Sequence, residues 1–441
     1  MKKLTALLCL VLILLLSGCS ALSLNESSIM CPPKATGNKA DIQKLIDKQT
    51  SGDYVLKYPK NGSNRSSIVM HDLDHDDDED AIAFYSDKSG EHIHALFVEC
   101  KNSDYVIIED VLIEAATIDR IEFCDLNADS KCEIILGYSR STSSQNVMSI
   151  FTYNKDASPV ITQNETPYTY SSLVTGDFDK DKSDDILLIS LYSGDIAARA
   201  QLLVFSGTEL VEVSSAELDS DITQLASATY GQISDDSYGA ILDGVSSTGD
   251  YTTQVVLFDS SRPALINPLF SYSGYSLTRR STQICSTDYN KDSLIDIPIC
   301  SLMLHNEDDD VNTIARRIDW NNLDTDTYTL NTSQSAIFCS ADGYLLTMPQ
   351  KWSESVTARY DKTNRELSIY TCEYSGSKLV LKDKLITVKA YFDENYEKSS
   401  SEYTEFMRVG ATVYTYLIGS ADNYLSITGD ELSSLFKPVN L

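Results

Sequence analysis

From Ser66 to about residue 340 the chain repeats one pattern of apolar and polar positions. An alternating run leads into an acidic loop, a second apolar run begins directly after the last acid, and two further runs follow. In the first unit these are SSIVM (66–70), HDLDHDDDED (71–80), AIAFY (81–85), ALFVEC (95–100) and YVIIEDVLI (105–113). RIEFC (120–124), SLVTG (172–176) and TQICS (282–286) lead into later loops, and EIILGY (133–138), DILLIS (185–190) and DIPICS (296–301) leave them. Short β-branched runs with period-two alternation, bounded by polar turns, predict strands. Four strands in about 54 residues is the content of a propeller blade.

The loops set the register of the repeat. DLDHDDDED begins at Asp72, DLNADSKCE at Asp125, DFDKDKSDD at Asp177 and DYNKDSLID at Asp288. Each has an acid at position 1, an apolar residue at 2, Asp or Asn at 3, Asp at 5 and an acid at 9. GQISDDSYGAIL aligns Gln232 with Asp177, so repeats start at 72, 125, 177, 232 and 288. That member, with Gln232, Ser234, Asp236 and Ala240, has lost most of its charge and is expected to bind nothing. In the others, like charges about 4 Å apart repel by about 4 kcal/mol at an effective dielectric of 20. Such a loop needs water, protons or a cation. Oxygens at 1, 3 and 5, a carbonyl at 7 and a further carboxylate suit calcium, which takes about six to eight oxygen ligands. An EF-hand is excluded, because position 12 holds Ala83, Leu136, Leu188 or Ile299, inside the next predicted strand.

This unit resembles the FG-GAP or VCBS-type repeats of integrin-α-like β-propellers, over about residues 50–340. The resemblance implies an all-β fold: a β-propeller, five blades first with six or seven as alternatives, carrying structural Ca2+ in its loops. Its ligands would be Asp72, Asp74, Asp76 and Asp80; Asp125, Asn127, Asp129 and Glu133; Asp177, Asp179, Asp181 and Asp185; and Asp288, Asn290, Asp292 and Asp296. Position 6, usually Gly in that family, is Asp77, Ser130, Lys182 or Ser293 here. A side chain at positive φ strains the backbone and weakens binding. The whole chain also looks like a group of Firmicutes lipoproteins with a lipidated leader, a Pro-Pro segment, a small helix and such a propeller.

The leader sets the expected compartment. Lys2 and Lys3, an apolar stretch from Leu4 to Leu16 and then Ser17-Gly18-Cys19 read as a secretory signal over residues 1–18, not a spanning helix. Its ending resembles a bacterial lipobox, which implies lipidation of Cys19 and anchoring on the extracytoplasmic face of the cell membrane of a Gram-positive bacterium. Residues 19–50 then form a lipidated linker with a helix over Lys39–Lys48, residues 51–340 the propeller, and residues 341–441 a small β-rich domain. YVLKY (54–58) is expected to complete the last blade, and Gly429–Phe436 to form a capped helix. MPQKW (348–352) resembles the opening of a strand pair in the small β-domain of other Firmicutes lipoproteins.

The formal charge of −30, about −32 without Lys2 and Lys3, disfavours nucleic acid and anionic lipid as partners and favours cations. Cys124 and Cys132 flank the second loop and Cys285 and Cys300 the last, so each pair is either a disulfide clip or two buried thiols. His92 and His94 share one face of a strand, a zinc-like spacing without an identifiable third ligand. No GxSxG, HExxH, P-loop or GxGxxG occurs, and no catalytic residue is assigned. The sequence points to a non-catalytic binding module for a cell-surface or extracellular polymer, glycan or protein. The alternative is a polysaccharide-degrading, lyase-like enzyme built on a calcium propeller.

Overall fold

The computed structural model describes residues 36–87, 90, 92–140, 145–194, 196–206, 209–271, 276–396, 402–420 and 423–439. The signal segment, Cys19 and Cys31 lie outside them. Strands take 55% of the chain and helices 7%, so the fold is all-β. Its antiparallel sheets are compatible with a β-propeller. Two compact units divide the chain, one of residues 1–60 and 64–117 and one of 61–63 and 118–441.

In the first unit, helix α1 (Asn38–Thr50) buries Ile42 and Ile46 against a sheet of β1 (Val55–Leu56), β2 (Ile68–His71), β3 (Asp80–Ser86), β4 (Ile93–Lys101) and β5 (Asp104–Ile113). The helix stops where Ser51 turns left-handed at φ 56° and the Gly52 amide returns to the Asp47 carbonyl at 2.9 Å. YVLKY does not complete a last blade. Its β1 pairs with β3, Val55 opposite Ser86 and Leu56 opposite Tyr85. Tyr54 and Leu56 pack on the core shared with α1, and that local burial fixes where the short strand goes.

The second unit opens with three four-stranded meanders. The first holds β6 (Thr117–Cys124), β7 (Glu133–Ser139), β8 (Asn146–Tyr153) and β9 (Ile161–Tyr170). The next holds β10 (Ser172–Gly176), β11 (Asp185–Ser190), β12 (Arg199–Phe205) and β13 (Leu210–Glu217). The third holds β14 (Ile222–Ser234), β15 (Ser237–Ser246), β16 (Tyr251–Asp259) and β17 (Ala264–Ile266). A fifth sheet is made of β18 (Ile297–Leu302), β19 (Arg316–Asp324), β20 (Thr329–Cys339) and β21 (Tyr344–Thr347). The sixth has β22 (Val356–Asp361), β23 (Glu366–Ser375), β24 (Lys378–Phe392), β25 (Thr404–Val409) and β26 (Thr412–Ile418). After helix α2 (Gly429–Leu435), capped reciprocally by Thr428 and Glu431, β27 (Phe436–Pro438) returns to pair with β21.

Within this unit consecutive sheets pack face to face. Ile186 and Leu188 of β11 lie in a core with Ile135 of β7 and Ile150 of β8, while Leu187 and Ile189 face Ala240 and Leu242 of β15. Ile241 points the other way, to Ile297 and Leu323 of the fifth sheet. A strand covered on both sides has no polar face, which is why DILLIS runs apolar without alternation. Leu187 and Leu188 are both 0% exposed, and burying each contributes about 1.5–3 kcal/mol.

Two sequence expectations need adjusting in the C-terminal half. TQICS (282–286) forms no strand; only Thr287 bridges Asp296 across the last loop. The segment is held instead by the buried pair Arg280–Asp243 at 2.8 Å, Asp243 also accepting the Ser286 amide at 2.8 Å. The boundary expected after residue 340 falls in the turn between β20 and β21. The two sides share one core, in which Ile337 and Leu346 meet Trp352, Leu367 and Ile386. Trp352 of MPQKW is fully buried and donates to the Leu425 carbonyl at 2.7 Å, just ahead of the β22–β23 pair.

Candidate functional site

Loops one, two and three join the paired strands β2–β3, β6–β7 and β10–β11, loop four runs from the irregular segment into β18, and all four are coiled alike. The position-1 carboxylate (Asp72, Asp125, Asp177, Asp288) accepts the amides of positions 5 and 6 at 2.8–3.3 Å. The position-5 acid (Asp76, Asp129, Asp181, Asp292) accepts the amide of position 7 at 2.8–3.0 Å. The position-9 acid (Asp80, Glu133, Asp185, Asp296) accepts the amide of position 2 at 2.9–3.0 Å. The loop thus coils around its own carboxylates.

That coil demands positive φ twice. Position 6 has φ of 70° at Asp77, 67° at Ser130, 80° at Lys182 and 76° at Ser293. Position 4, which the sequence reading did not single out, has φ of 60° at His75, 56° at Ala128, 68° at Lys180 and 66° at Lys291. Non-glycine residues there carry strain of about 1–3 kcal/mol each, which the surrounding hydrogen bonds must offset.

The position-9 acids are at most 2% exposed. Burial, ahead of repulsion from neighbouring carboxylates, raises the pKa of Asp80 and pushes Glu133 and Asp185 up to about 7; burial also raises that of Asp296. Ligand oxygens of Asp72, Asp74 and Asp80, and of Asp177, Asp179 and Asp185, lie within 4.8 Å of one another. The position-5 acids stand outside both groups. Loops two and four offer an amide at position 3, where Asn127 donates to Glu133 at 3.0 Å and Asn290 to Asp292 at 2.8 Å.

The donor set fits a hard cation, since all the converging atoms are oxygens. A sharper test is Asp185: its Oδ1 is buried and has no hydrogen-bond partner, which is costly for a carboxylate unless a cation meets it. Loop four fits less well. Asp296 Oδ1 already accepts from Asn322 at 3.0 Å and Ser333 at 2.6 Å, and the Lys437 ammonium sits beside the loop, donating to the Tyr289 carbonyl at 2.6 Å. The charge-poor repeat closes as a tight hairpin, Ser234 opposite Ser237, leaving Asp235 and Asp236 as its turn.

The remaining candidates are accounted for differently. The described cysteines, among them Cys124, Cys132, Cys285 and Cys300, are free thiols. His94 Nδ1 lies 2.9 Å from Asp110, and its ring stacks on Tyr85; it is not among the metal-ligating groups of the described residues.

No family model matches the chain, and no curated protein does. Among solved structures, the crystal structure of a protein from Lactobacillus plantarum is similar at 12% sequence identity and a TM-score of 0.29, covering 74% of this chain and 85% of that one.

Proposed function

We propose that this chain is a lipid-anchored, extracytoplasmic binding protein of the calcium-propeller type. Cations in the acidic loops brace its sheets, and the braced body presents a surface to a cell-surface or extracellular polymer or protein. The observation that carries the reading is the repeated loop, with its coiled amides and buried position-9 acid, above all the unpaired Asp185 Oδ1 beside Asp177 and Asp179. The same geometry ranks the loops: one and three bind calcium best and four least. The Leu16-Ser17-Gly18-Cys19 ending supports the anchor at Cys19.

Calorimetric calcium titration of the chelator-treated protein, with thermal melts beside it, tests the brace. Saturable binding and a rise in melting temperature are expected; a melt unchanged by calcium refutes it. Metabolic labelling with a radioactive fatty acid tests the anchor, and label that persists in Cys19→Ser removes it from the proposal.

A further inference from the structure

Within the second unit, loops two and three lie at one end of the strands of the first two meanders, and a hollow of about 540 Å³ lies at the other. Strands β6, β10 and β14 each run into a loop or turn at their C-terminal ends. The hollow is lined near their beginnings, by Arg120, Ser172 and Gln224, with Asn146 at the start of β8 and Tyr192 just after β11. Its volume falls in the range of about 300–1,000 Å³ common to small-molecule sites. It brings together residues far apart in sequence, so no local motif announces it.

Its chemistry is specific. Amides (Asn61, Asn146, Gln224) and hydroxyls (Ser171, Ser172, Thr223) dominate the lining, groups that both donate and accept. Among the described lining residues only Arg120 is charged, and its guanidinium is committed. Nε donates to Asp119 at 3.0 Å, Nη1 to the Leu173 carbonyl at 2.7 Å, and Nη2 lies 3.5 Å from Ser172 Oγ. Asp119 in turn accepts from Tyr170 at 2.8 Å and Asn61 at 2.7 Å. The Tyr170 phenol, raised in pKa by burial and by Asp119, is therefore a donor that props the aspartate and offers no base. At the rim Tyr192 is 54% exposed, presenting an aromatic face to solvent.

We infer that this hollow binds a neutral oligosaccharide. A sugar offers hydroxyls that need paired donors and acceptors and a C–H face that stacks on an aromatic ring. A carboxylated or phosphorylated polymer would find no uncommitted cation here, and would meet a chain of net charge −30. The inference rests on the binding-module reading and names its ligand class. Because the hollow lies at the opposite strand ends from loops two and three, sugar and calcium occupy separate places in this unit.

The full chain, in detergent and with calcium, is applied to an array of neutral and uronic-acid-containing oligosaccharides and, separately, to purified cell-wall material. Calorimetry is then run on the best neutral trisaccharide. Neutral oligosaccharides are expected to bind, with affinity falling about tenfold in Tyr192→Ala and in Gln224→Ala. Both side chains are exposed, so an unchanged melting temperature checks that the fold survives. Cell-wall retention without neutral-sugar binding, preference for uronic acids, or sugar affinity indifferent to both substitutions overturns the inference and leaves the binding-module reading standing. No binding to either material overturns the inference and the polymer branch of the binding-module reading together.

Discussion

Asp185→Asn separates the proposed metal role of the loops from their role in folding, because the two predict opposite signs. The carboxylate is 1% exposed, with one oxygen on the Phe178 amide at 3.0 Å and the other unpaired near Asp177 and Asp179. Asparagine keeps an acceptor for Phe178, and its amide nitrogen can donate to the neighbouring carboxylates, so a like-charge contact becomes a hydrogen bond. In chelator the variant should melt at or above the parent temperature. With calcium at about a hundred times its dissociation constant, one site contributes about 2.7 kcal/mol, or about 5–11 °C at the 2–4 °C per kcal/mol of larger domains. The variant forfeits that increment, so the order of melting temperatures reverses when calcium is added. Differential scanning calorimetry of both proteins, with chelator and with excess calcium, reads this directly. A variant equally destabilised in both conditions would show that Asp185 supports only the fold, and the argument from its unpaired oxygen would fail.

Three further substitutions probe the frame around the sites. Asp243→Ala leaves the fully buried Arg280 guanidinium without its counter-charge and should cost about 3–5 kcal/mol in chemical denaturation; adding Arg280→Met should recover part of it. Lys182→Gly relieves φ of 80° in loop three, so stability should rise by about 0.5–1 kcal/mol and calcium should bind more tightly by calorimetry. Trp352→Phe leaves the Leu425 carbonyl without its indole donor, an expected loss of about 1–3 kcal/mol in the same denaturation assay.

Where side chains alternate or run apolar between acidic turns, the strands were legible from sequence. AIAFY and DILLIS became β3 and β11, whereas YVLKY is placed by local burial against α1. TQICS was not legible as irregular, because what displaces its ladder is Asp243, more than forty positions earlier in the chain, taking the Ser286 amide. The short β25 carries no sequence signal of its own: TEFMRV mixes charge and apolar groups on an edge strand, and its partner β26 supplies the order. The loop carboxylates were recognisable by spacing, and the demand for positive φ at position 6 followed from the resemblance, which implies a glycine there. Position 4 escaped notice because His75, Ala128, Lys180 and Lys291 share no chemistry, only a backbone conformation. The hollow had no signal at all, since its amides and hydroxyls are ordinary strand-end and loop residues until three sheets bring them together.

Neighbouring sheets in the second unit are also stitched at their loop ends. The position-8 amide of one repeat donates to the position-1 carbonyl of the repeat before it, Asp184 to Asp125 at 2.7 Å and Ile295 to Gln232 at 2.9 Å. Both atoms are main-chain, so the stitch does not ask what side chain Gln232 carries. This separates alignment from ion binding and makes the charge-poor repeat an independent tuning point. A carboxylate can be lost there, dropping a cation from the proposed series, while the seam to the next sheet stays sewn.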